Sequence, residues 1–279
     1  MSGSDRPGTA PATGVEFDFG AYPEGAQQRA WPPAGVAFVK VRHAVPHDFF
    51  AAEARGLRTL AAAQTLRVPQ VFAVGACGIA LEDIGRGRPS LSQWQDAGRA
   101  LCRLHAQRAT HFGFDSDGYC GDSPQENGWL DDGHAFFAQR RLLPQARRAR
   151  DAGRLTPTDV VRIEHLCANL AAYVPAAPPV LLHGDLWLGN LHACADGTLA
   201  LIDGAAVHYG WAAADLAMLT AFGEPPPAFF AAYDEAGGAA TDWRAAAPVL
   251  NLYHLLNHLN LFGASYDAAV RQVLNRFAP

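Results

Sequence analysis

The chain has 279 residues, of which 49 % are hydrophobic and 18 % charged, and its glycines and prolines follow no period. This composition excludes a fibrous or disordered protein and allows one large domain or two unequal lobes. The formal net charge of −5 argues against a nucleic-acid-binding surface, which needs a clustered excess of Lys and Arg. The arginines between residues 140 and 150 have helical spacing and are interpreted as a solvated helix face.

Cysteine usage and hydropathy indicate the compartment. The five cysteines are odd in number and form no Cys-x-x-Cys pair, which fits reduced thiols better than a disulfide framework or a zinc knuckle. The N-terminal residues lack the pattern of a signal peptide, and no apolar run is long enough to span a bilayer. We therefore expect a cytoplasmic protein with neither a membrane nor a nucleic acid as partner.

The first elements in chain order predict a small β-rich lobe. Residues 1–14 are rich in small and polar residues and are expected to form a disordered leader, with structure starting near Val15. Apolar, β-branched runs predict strands at 36–41, 68–74 and 78–81, and apolar positions at helical spacing predict a helix over 47–63. This gives a lobe over residues 15–82.

The remainder is predicted to be mainly helical. Glycines and a proline between residues 83 and 90 indicate a linker to a second lobe over 91–279. Two short apolar runs, 180–183 and 198–202, are expected to pair as a hairpin through residues 195–197. Helices are predicted over residues 92–109, 134–152, 158–173, 213–222, 227–236 and 247–262.

The segment His183-Gly-Asp-Leu-Trp-Leu-Gly-Asn190 carries the most informative spacing. Asp185 precedes Asn190 by five residues, and Asp203 follows the next apolar run. The protein-kinase catalytic loop has the same interval, with the Asp accepting a hydroxyl proton and the Asn and a later Asp binding Mg²⁺. We assign Asp185 as the catalytic base and Asn190 and Asp203 as metal ligands. The alternative is that the three are loop-capping and turn residues.

A basic and an acidic residue upstream match the same chemistry. Lys40 ends the first predicted strand and Glu53 lies on the following helix, as in the Lys–Glu pair that holds nucleotide phosphates in kinases. We assign Lys40, Glu53 and Glu82, at the end of the third predicted strand, to the cofactor site. Taken alone, surface Lys and Glu residues are common, so this assignment depends on the Asp185 segment.

Several segments together resemble the fructosamine kinase family over roughly residues 36–276. The most specific are the 183–190 segment and Leu252-Tyr-His-Leu-Leu-Asn-His-Leu-Asn-Leu-Phe-Gly263, with Leu201-Ile-Asp203 and Asp215-Leu-Ala-Met218. The resemblance implies an α+β, two-lobed, protein-kinase-like fold with ATP and Mg²⁺ as cofactors. It also implies phosphorylation of the 3-hydroxyl of a ketosamine, free or protein-bound, which promotes deglycation. The residues that it places near the sugar are His183, Trp187, Asp215, His254, Asn257 and His258.

Two of these assignments have alternatives. His254 and His258 have the i, i+4 spacing of a zinc pair, but no HExxH glutamate stands between them and no third ligand is evident, so we interpret them as core or substrate-wall residues. Asp215 is as well suited to bracing the catalytic loop as to contacting substrate.

The sequence departs from the family in its first 35 residues. No adjacent or alternating glycine pair occurs there, and Pro23, Pro32 and Pro33 predict interrupted strand pairing, so the nucleotide lid is expected to be shortened, remodelled or absent. Gly204 stands where the family has proline. The family's glycine-loop cysteine has no counterpart, so we expect a monomer without a redox-linked dimer.

Three functions remain open at this point. The intact set of polar residues favours an active ketosamine kinase. The altered lid motivates a non-catalytic binder of glycated ligands or of a partner protein. A kinase for another small hydroxyl substrate, such as an aminoglycoside or choline, is disfavoured by the segment at 252–263.

Overall fold

The computed structural model describes residues 19–31, 35–238 and 242–279. The predicted disordered leader at residues 1–14 and the predicted start near Val15 lie outside these residues. Within them, strands and helices both occur, as expected for an α+β protein. No described helix combines the length and the apolar character that crossing a bilayer requires.

A four-stranded antiparallel sheet opens the fold, with strand order β1-β2-β4-β3. Helix α1 (Phe49–Ala62) lies between β2 and β3, in the predicted position. The strands are β1 (Gly25–Trp31), β2 (Gly35–Val41), β3 (Val71–Gly75) and β4 (Gly78–Glu82).

The prediction of interrupted pairing near the N-terminus is wrong. All seven residues of β1 pair with β2, from Gly25 opposite Val41 to Trp31 opposite Gly35. Pro23 precedes the first paired residue, and Pro32 and Pro33 lie outside the described residues. A proline removes a ladder hydrogen bond only where it stands within the paired stretch. The β1–β2 hairpin is therefore present.

Alternation along β2 separates its two faces. Ala37, Val39 and Val41 are buried in a small core that includes Phe19. Phe38 and Lys40 project from the opposite face, because successive side chains of a strand alternate. The second small core lies between the sheet and α1 and contains Phe50, Ala54, Leu57, Ile79 and Leu81.

Helices and short two-stranded ladders make up the larger remainder around one extended core. The predicted helices are confirmed in type, although several end earlier and the last predicted one begins at Trp243. The terminal helix α9 was not predicted. The helices are α2 (Leu91–Leu104), α3 (Gly133–Phe137), α4 (Leu143–Asp151), α5 (Pro157–Ala168), α6 (Ala212–Met218), α7 (Pro227–Glu235), α8 (Trp243–Phe262) and α9 (Asp267–Phe277).

The pairing predicted for the two short apolar runs is wrong. Strand β7 (Val180–Leu182) pairs with β10 (His208–Gly210), and β9 (Leu199–Leu201) pairs with β8 (Leu191–Ala193). Local apolar content predicts the strands but not their partners, since β7 pairs with a polar-containing strand that lies 26 residues further along the chain. The loop between β7 and β8 is thus anchored on two separate ladders. Near it lies a further ladder of β5 (Gly118–Cys120) and β6 (Ser123–Gln125).

The arginine cluster is only partly a solvated face. Arg141 lies in a π-helical segment, Ala138–Leu142, that joins α3 to α4, and it is 2 % exposed. Its guanidinium donates to the carbonyl of Glu126 and to Asn127 Oδ1 and lies over the ring of Phe136. Burial lowers the pKa of Arg141 to about 10. Helical spacing alone could not distinguish this residue from its solvated neighbours.

Candidate active site

Lys40, Glu53 and Asp203 meet between the sheet and the helical region. Lys40 Nζ lies 2.7 Å from Glu53 Oε1 and also contacts Asp203 Oδ1. Strand β2 directs Lys40 away from its small core, and α1 presents Glu53, whose side chain is 6 % exposed. One ammonium thus holds two carboxylates from different elements, an arrangement in which it can also reach an anionic phosphate.

Asp203 adopts a left-handed conformation, with φ 59° and ψ 55°, at the end of the segment that follows β9. A non-glycine residue rarely occupies this region, although Asp tolerates it better than most, and such strain clusters at functional sites. The conformation turns the chain sharply into the 3₁₀ turn Gly204–Ala206.

Glycine at position 204 has a packing reason. The turn lies against α1 so closely that a Cβ at Gly204 would come within 2.8 Å of the Leu57 nitrogen. In the other direction, a Cβ at Gly56 would come within 1.8 Å of the Gly204 carbonyl oxygen. This double-glycine contact couples the helix that carries Glu53 to the turn that carries Asp203, and neither residue was singled out for it from the sequence.

The loop between β7 and β8 carries Asp185 and Asn190. Asn190 Nδ2 donates to the Asp185 backbone carbonyl at 2.9 Å, which fixes one end of the loop against the other. The Asn190 carbonyl accepts from the Ile202 amide at 3.2 Å, so the segment leading to Asp203 is tied to the same loop. Asp185, Asn190 and Asp203 are therefore brought into one connected region.

Asp215 braces this loop from beneath. It is 1 % exposed, and its two oxygens accept the amides of His183 at 2.8 Å and Gly184 at 2.9 Å. Burial alone would raise its pKa, but hydrogen bonding and charge from His105, with the loop amides, lower the pKa of Asp215 below its usual value. The structure therefore disfavours the substrate role predicted for Asp215 and supports the bracing alternative.

His183 is likewise held by contacts within the protein. His183 is fully buried, and its Nε2 atom lies 2.7 Å from the Ile202 carbonyl oxygen, within hydrogen-bond distance. Its backbone amide is held by Asp215. These contacts support a structural role for His183, and its contact with the sugar remains a prediction.

Asp185 faces helix α8. His254 Nδ1 lies 3.5 Å from Asp185 Oδ1, and the side chain of Asp185 is 20 % exposed. Burial raises the pKa of Asp185 above its ordinary value, with His183 opposing this and Asp215 reinforcing it. A carboxylate of raised pKa accepts a proton more readily than an exposed one.

The α8 residues divide into two groups. His254 points towards Asp185, and burial lowers the pKa of His254 to about 3, so its imidazole is neutral near pH 7. Asn257 is 1 % exposed and donates to the carbonyl of Cys120 at 3.0 Å, which supports a core role, and its contact with the sugar remains a prediction. His258 is partly buried and stacks on Phe222, with ring centroids 4.7 Å apart. Trp187, in the loop, remains 39 % exposed.

A cavity of about 330 Å³ adjoins Lys40 and Asp203. Its size is at the lower end of the range for small-ligand pockets, ~300–1,000 Å³. Gln28 on β1 reaches across its edge, and Gln28 Nε2 donates to Asp83 Oδ2 at 2.6 Å. The walls include Phe38, Pro69, Leu81, Ile84, Gly85, Arg86, His192 and Ile202.

Glu82 lines this cavity but its carboxylate is engaged elsewhere. Oε1 accepts from Arg67 at 2.8 Å, and Oε2 accepts the Gln70 amide at 3.2 Å. Both carboxylate oxygens are thus bound by the protein itself, while the residue stays in the cavity wall, and its assignment to the cofactor site remains a prediction. Gln28 and Asp83, which span the same cavity, were missed because no motif contains them.

The comparisons with known proteins agree with this geometry. The sequence model of the fructosamine kinase family matches residues 29–278. A probable ketoamine kinase of Synechocystis is 36 % identical, covering 86 % of this chain and 82 % of its own. The chloroplastic protein-ribulosamine 3-kinase of Arabidopsis thaliana is 31 % identical, covering 88 % of this chain and 76 % of its own.

Solved structures show the same architecture. A Thermobifida fusca protein provisionally named fructosamine-3-kinase superposes with a TM-score of 0.82 at 33 % identity, covering 90 % of this chain and 92 % of its own. An ADP-bound aminoglycoside phosphotransferase superposes with a TM-score of 0.59 at 14 % identity, covering 93 % of this chain and 95 % of its own, which shows the fold alone. The predicted two-lobed, protein-kinase-like fold is confirmed.

Proposed function

The chain belongs to the fructosamine kinase family, and from that premise we propose that it transfers the γ-phosphoryl group of ATP to the 3-hydroxyl of a ketosamine. The observation that carries the proposal is the convergence of Lys40, Glu53 and Asp203 beside a ligand-sized cavity. The relatives named ketoamine kinase and ribulosamine 3-kinase supply the acceptor class, a sugar-amine adduct.

In this proposal the cavity receives the nucleotide and Lys40 binds its phosphates. Glu53, nearly buried, keeps the ammonium in place. Strands β1 and β2 contribute Gln28 and Phe38 to the cavity wall, with Gln28 held to Asp83. A phosphate bound there is neutralised by a positioned cation, which is how phosphoryl-transfer sites achieve most of their rate enhancement.

Asp203 and Asn190 are the residues that would hold Mg²⁺. Their donors are a carboxylate and a side-chain amide oxygen, the hard oxygen ligands that this ion prefers. The fit is supported by the placement of Asp203 at the cavity and by its strained conformation, which fixes its direction. When bound, Mg²⁺ supplies charge neutralisation on the phosphates.

Asp185 accepts the proton of the attacking hydroxyl. Its carboxylate is held by a loop whose ends are tied by Asn190 and whose start is fixed by Asp215. The neutral His254 borders it, so the proton has no competing cation as its neighbour on that side. Trp187 and His258 are proposed to form the wall on which the sugar-amine adduct rests, since Trp187 is 39 % exposed and His258 follows His254 by one helical turn on α8.

One ground for the non-catalytic binder, interrupted strand pairing in the lid, does not hold. That alternative rested on a degraded lid, whereas the β1–β2 hairpin is fully paired. We also propose that the protein works in the cytoplasm, which the five free cysteines support. The predicted monomer stays a prediction that light scattering would test.

The proposal is tested by ADP release from Mg-ATP across fructosamines, ribulosamines and erythrulosamines. We expect saturable turnover on at least one class, and a decrease of about 10²–10⁴-fold in Asp185→Asn, the usual contribution of a general base. Asp131→Asn is the matched control, because the side chain of Asp131 is 91 % exposed. Absence of turnover on every class, or equal turnover in Asp185→Asn, would contradict the proposal.

A further inference from the structure

Three potential metal ligands from distant parts of the sequence converge at one point in the active site. They are Cys120 on β5, Asp185 in the catalytic loop and His254 on α8, with all three ligand atoms within 4.8 Å of one another. Cys120 Sγ lies 3.8 Å from His254 Nδ1, and that same nitrogen lies 3.5 Å from Asp185 Oδ1. The kinase mechanism uses Asp185 but gives Cys120 no part.

These separations match the geometry of a tetrahedral zinc ion. With Zn–S near 2.3 Å and Zn–N and Zn–O near 2.0–2.2 Å, tetrahedral ligands stand about 3.3–3.6 Å apart. These two separations are within a few tenths of an ångström of this range, and Cys120 Sγ lies within 4.8 Å of the Asp185 carboxylate, so side-chain adjustments would close the site. Three protein ligands leave the fourth position open.

The ligand types select the metal. Thiolate and imidazole favour Zn²⁺ and similar soft or borderline ions, whereas Mg²⁺ requires hard oxygen donors. Zinc would therefore take this site without competing for the oxygen ligands proposed for Mg²⁺ at Asn190 and Asp203.

The protonation states permit binding with the release of one proton. The imidazole of His254 is neutral near pH 7 and so offers a lone pair. Burial raises the pKa of the Cys120 thiol well above its usual value, so the metal must displace this proton, as it does at other zinc–thiolate sites. The Asn257 amide donates to Cys120 Sγ at 3.3 Å, a contact that would stabilise the thiolate once formed.

We propose that Cys120, Asp185 and His254 form a zinc site whose occupation inhibits the kinase. Zinc on Asp185 removes the carboxylate that accepts the hydroxyl proton, and the ion occupies space beside the acceptor. The inhibitory part rests on the proposed function, while the binding part does not. Because the nucleotide cavity is lined by other residues, inhibition is competitive with the ketosamine and not with ATP.

Binding is tested on the untagged, full-length protein without nucleotide. Co²⁺ is titrated as a spectroscopic substitute for Zn²⁺, and the probe is the sulfur-to-cobalt charge-transfer absorption, followed by its displacement with Zn²⁺. We expect the natural chain to bind one equivalent of Co²⁺ and to show this absorption band. The control Cys77→Ala, which removes a thiol from the turn between β3 and β4, should behave in the same way. Cys120→Ala should lose the band and His254→Ala should weaken Zn²⁺ binding, with folding of each variant checked by circular dichroism.

The expected loss of affinity is large. Removing an outer-shell partner of a metal ligand typically costs about 10–100-fold in affinity, so removing the thiolate itself should cost at least that much. An unchanged band in Cys120→Ala, or Zn²⁺ affinity equal in the natural chain and both variants, would overturn the site.

Inhibition is measured at free Zn²⁺ fixed by a chelator buffer, because ATP also binds zinc. Each variant is compared with its own metal-free turnover, and we expect the inhibitory concentration to rise at least about tenfold in Cys120→Ala. Equal inhibition of the natural chain and Cys120→Ala would overturn the regulatory claim. The cobalt spectrum needs no turnover, so a failed kinase assay with an intact band would refute the proposed function and leave the metal site standing.

Discussion

Lys40 Nζ lies 2.7 Å from Glu53 Oε1, which joins strand β2 to helix α1 at the edge of the cavity. Lys40 is the chain's single lysine, since all other basic side chains besides histidine are arginine. Side-chain amine chemistry on this protein therefore reports on one position, the one proposed to bind phosphates.

Mg-ATP should protect Lys40 from an amine-directed reagent. We expect a marked loss of modification of the Lys40 peptide when Mg-ATP is present, because bound phosphates cover the ammonium, and quantitative mass spectrometry measures it. Lys40→Ala should lower turnover by about 10²–10³-fold, the usual loss of a positioned electrostatic group. The N-terminal amine is the internal control. Modification of Lys40 at an unchanged rate in saturating Mg-ATP would show that nucleotide binds elsewhere.

Asp215→Asn should impair the catalytic loop without emptying the nucleotide cavity. Asp215 accepts two loop amides, and an asparagine would turn its own N–H donors towards one of them. We expect a cost of about 1–3 kcal/mol in the free energy of unfolding, the usual penalty for a buried unpaired group. Turnover should fall while ATP protection of Lys40 is kept. If Asp215→Asn kept the stability and the turnover of the natural chain, Asp215 would not brace the catalytic loop. Asp131→Asn again serves as the exposed control.

Gly56→Ala should destabilise the protein although alanine favours a helix by about 1 kcal/mol over glycine. The added methyl would meet the Gly204 carbonyl, and overpacking of this kind typically costs about 1–3 kcal/mol. Because the collision separates α1 from the turn after Asp203, we expect lower turnover as well. Ala61→Gly, at an exposed position of the same helix, should lower the free energy of unfolding only by the difference in helix propensity, about 1 kcal/mol, and should keep full activity. Denaturant unfolding measures the stability of each variant, and steady-state kinetics measures its turnover. A Gly56→Ala variant that is stabilised and fully active would refute the coupling between α1 and the turn after Asp203.

Acidification should destabilise the fold through buried histidines. Burial, followed by the charge of Arg141, lowers the pKa of His208 to about 3, whereas the unfolded residue titrates near its ordinary value of about 6.5. Between these values the unfolded chain binds a proton that the folded chain does not. The contribution of the neutral His208 to the free energy of unfolding is therefore complete above pH 6.5. It is lost as the pH falls towards 3, at about 1.4 kcal/mol per pH unit.

Replacing this histidine should flatten the pH dependence. His208→Asn is expected to reduce the slope of unfolding free energy against pH by about 1.4 kcal/mol per unit between pH 6 and 4.5. Denaturant titrations at four pH values measure it, and identical slopes for the natural chain and His208→Asn would show that the folded protein protonates this ring.

The sequence predicted the parts of the site that reside in short local patterns. The Asp185–Asn190 interval and the position of Lys40 on an apolar strand are set within a few residues, so a spacing rule captures them. The types of most elements followed from hydrophobic periodicity for the same reason.

Features that depend on distant partners were missed. The pairing of β7 with β10 brings together segments that no local signal links. Cys120 and His254 are 134 residues apart, so the i, i+4 spacing of His254 and His258 gives no sign that Cys120 lies beside His254. Likewise, Glu82 looked available until the structure showed Arg67 and the Gln70 amide on its carboxylate.

The central claim is tested most directly by the product formed from a ketosamine and Mg-ATP. We predict one phosphate per ADP released, attached to the 3-hydroxyl as shown by phosphorus–proton correlated NMR, followed by release of the free amine. Asp185→Asn should form almost none of this product while Asp131→Asn forms it at the natural rate. Release of ADP without a phosphorylated sugar, or a phosphate on another hydroxyl, would contradict the account.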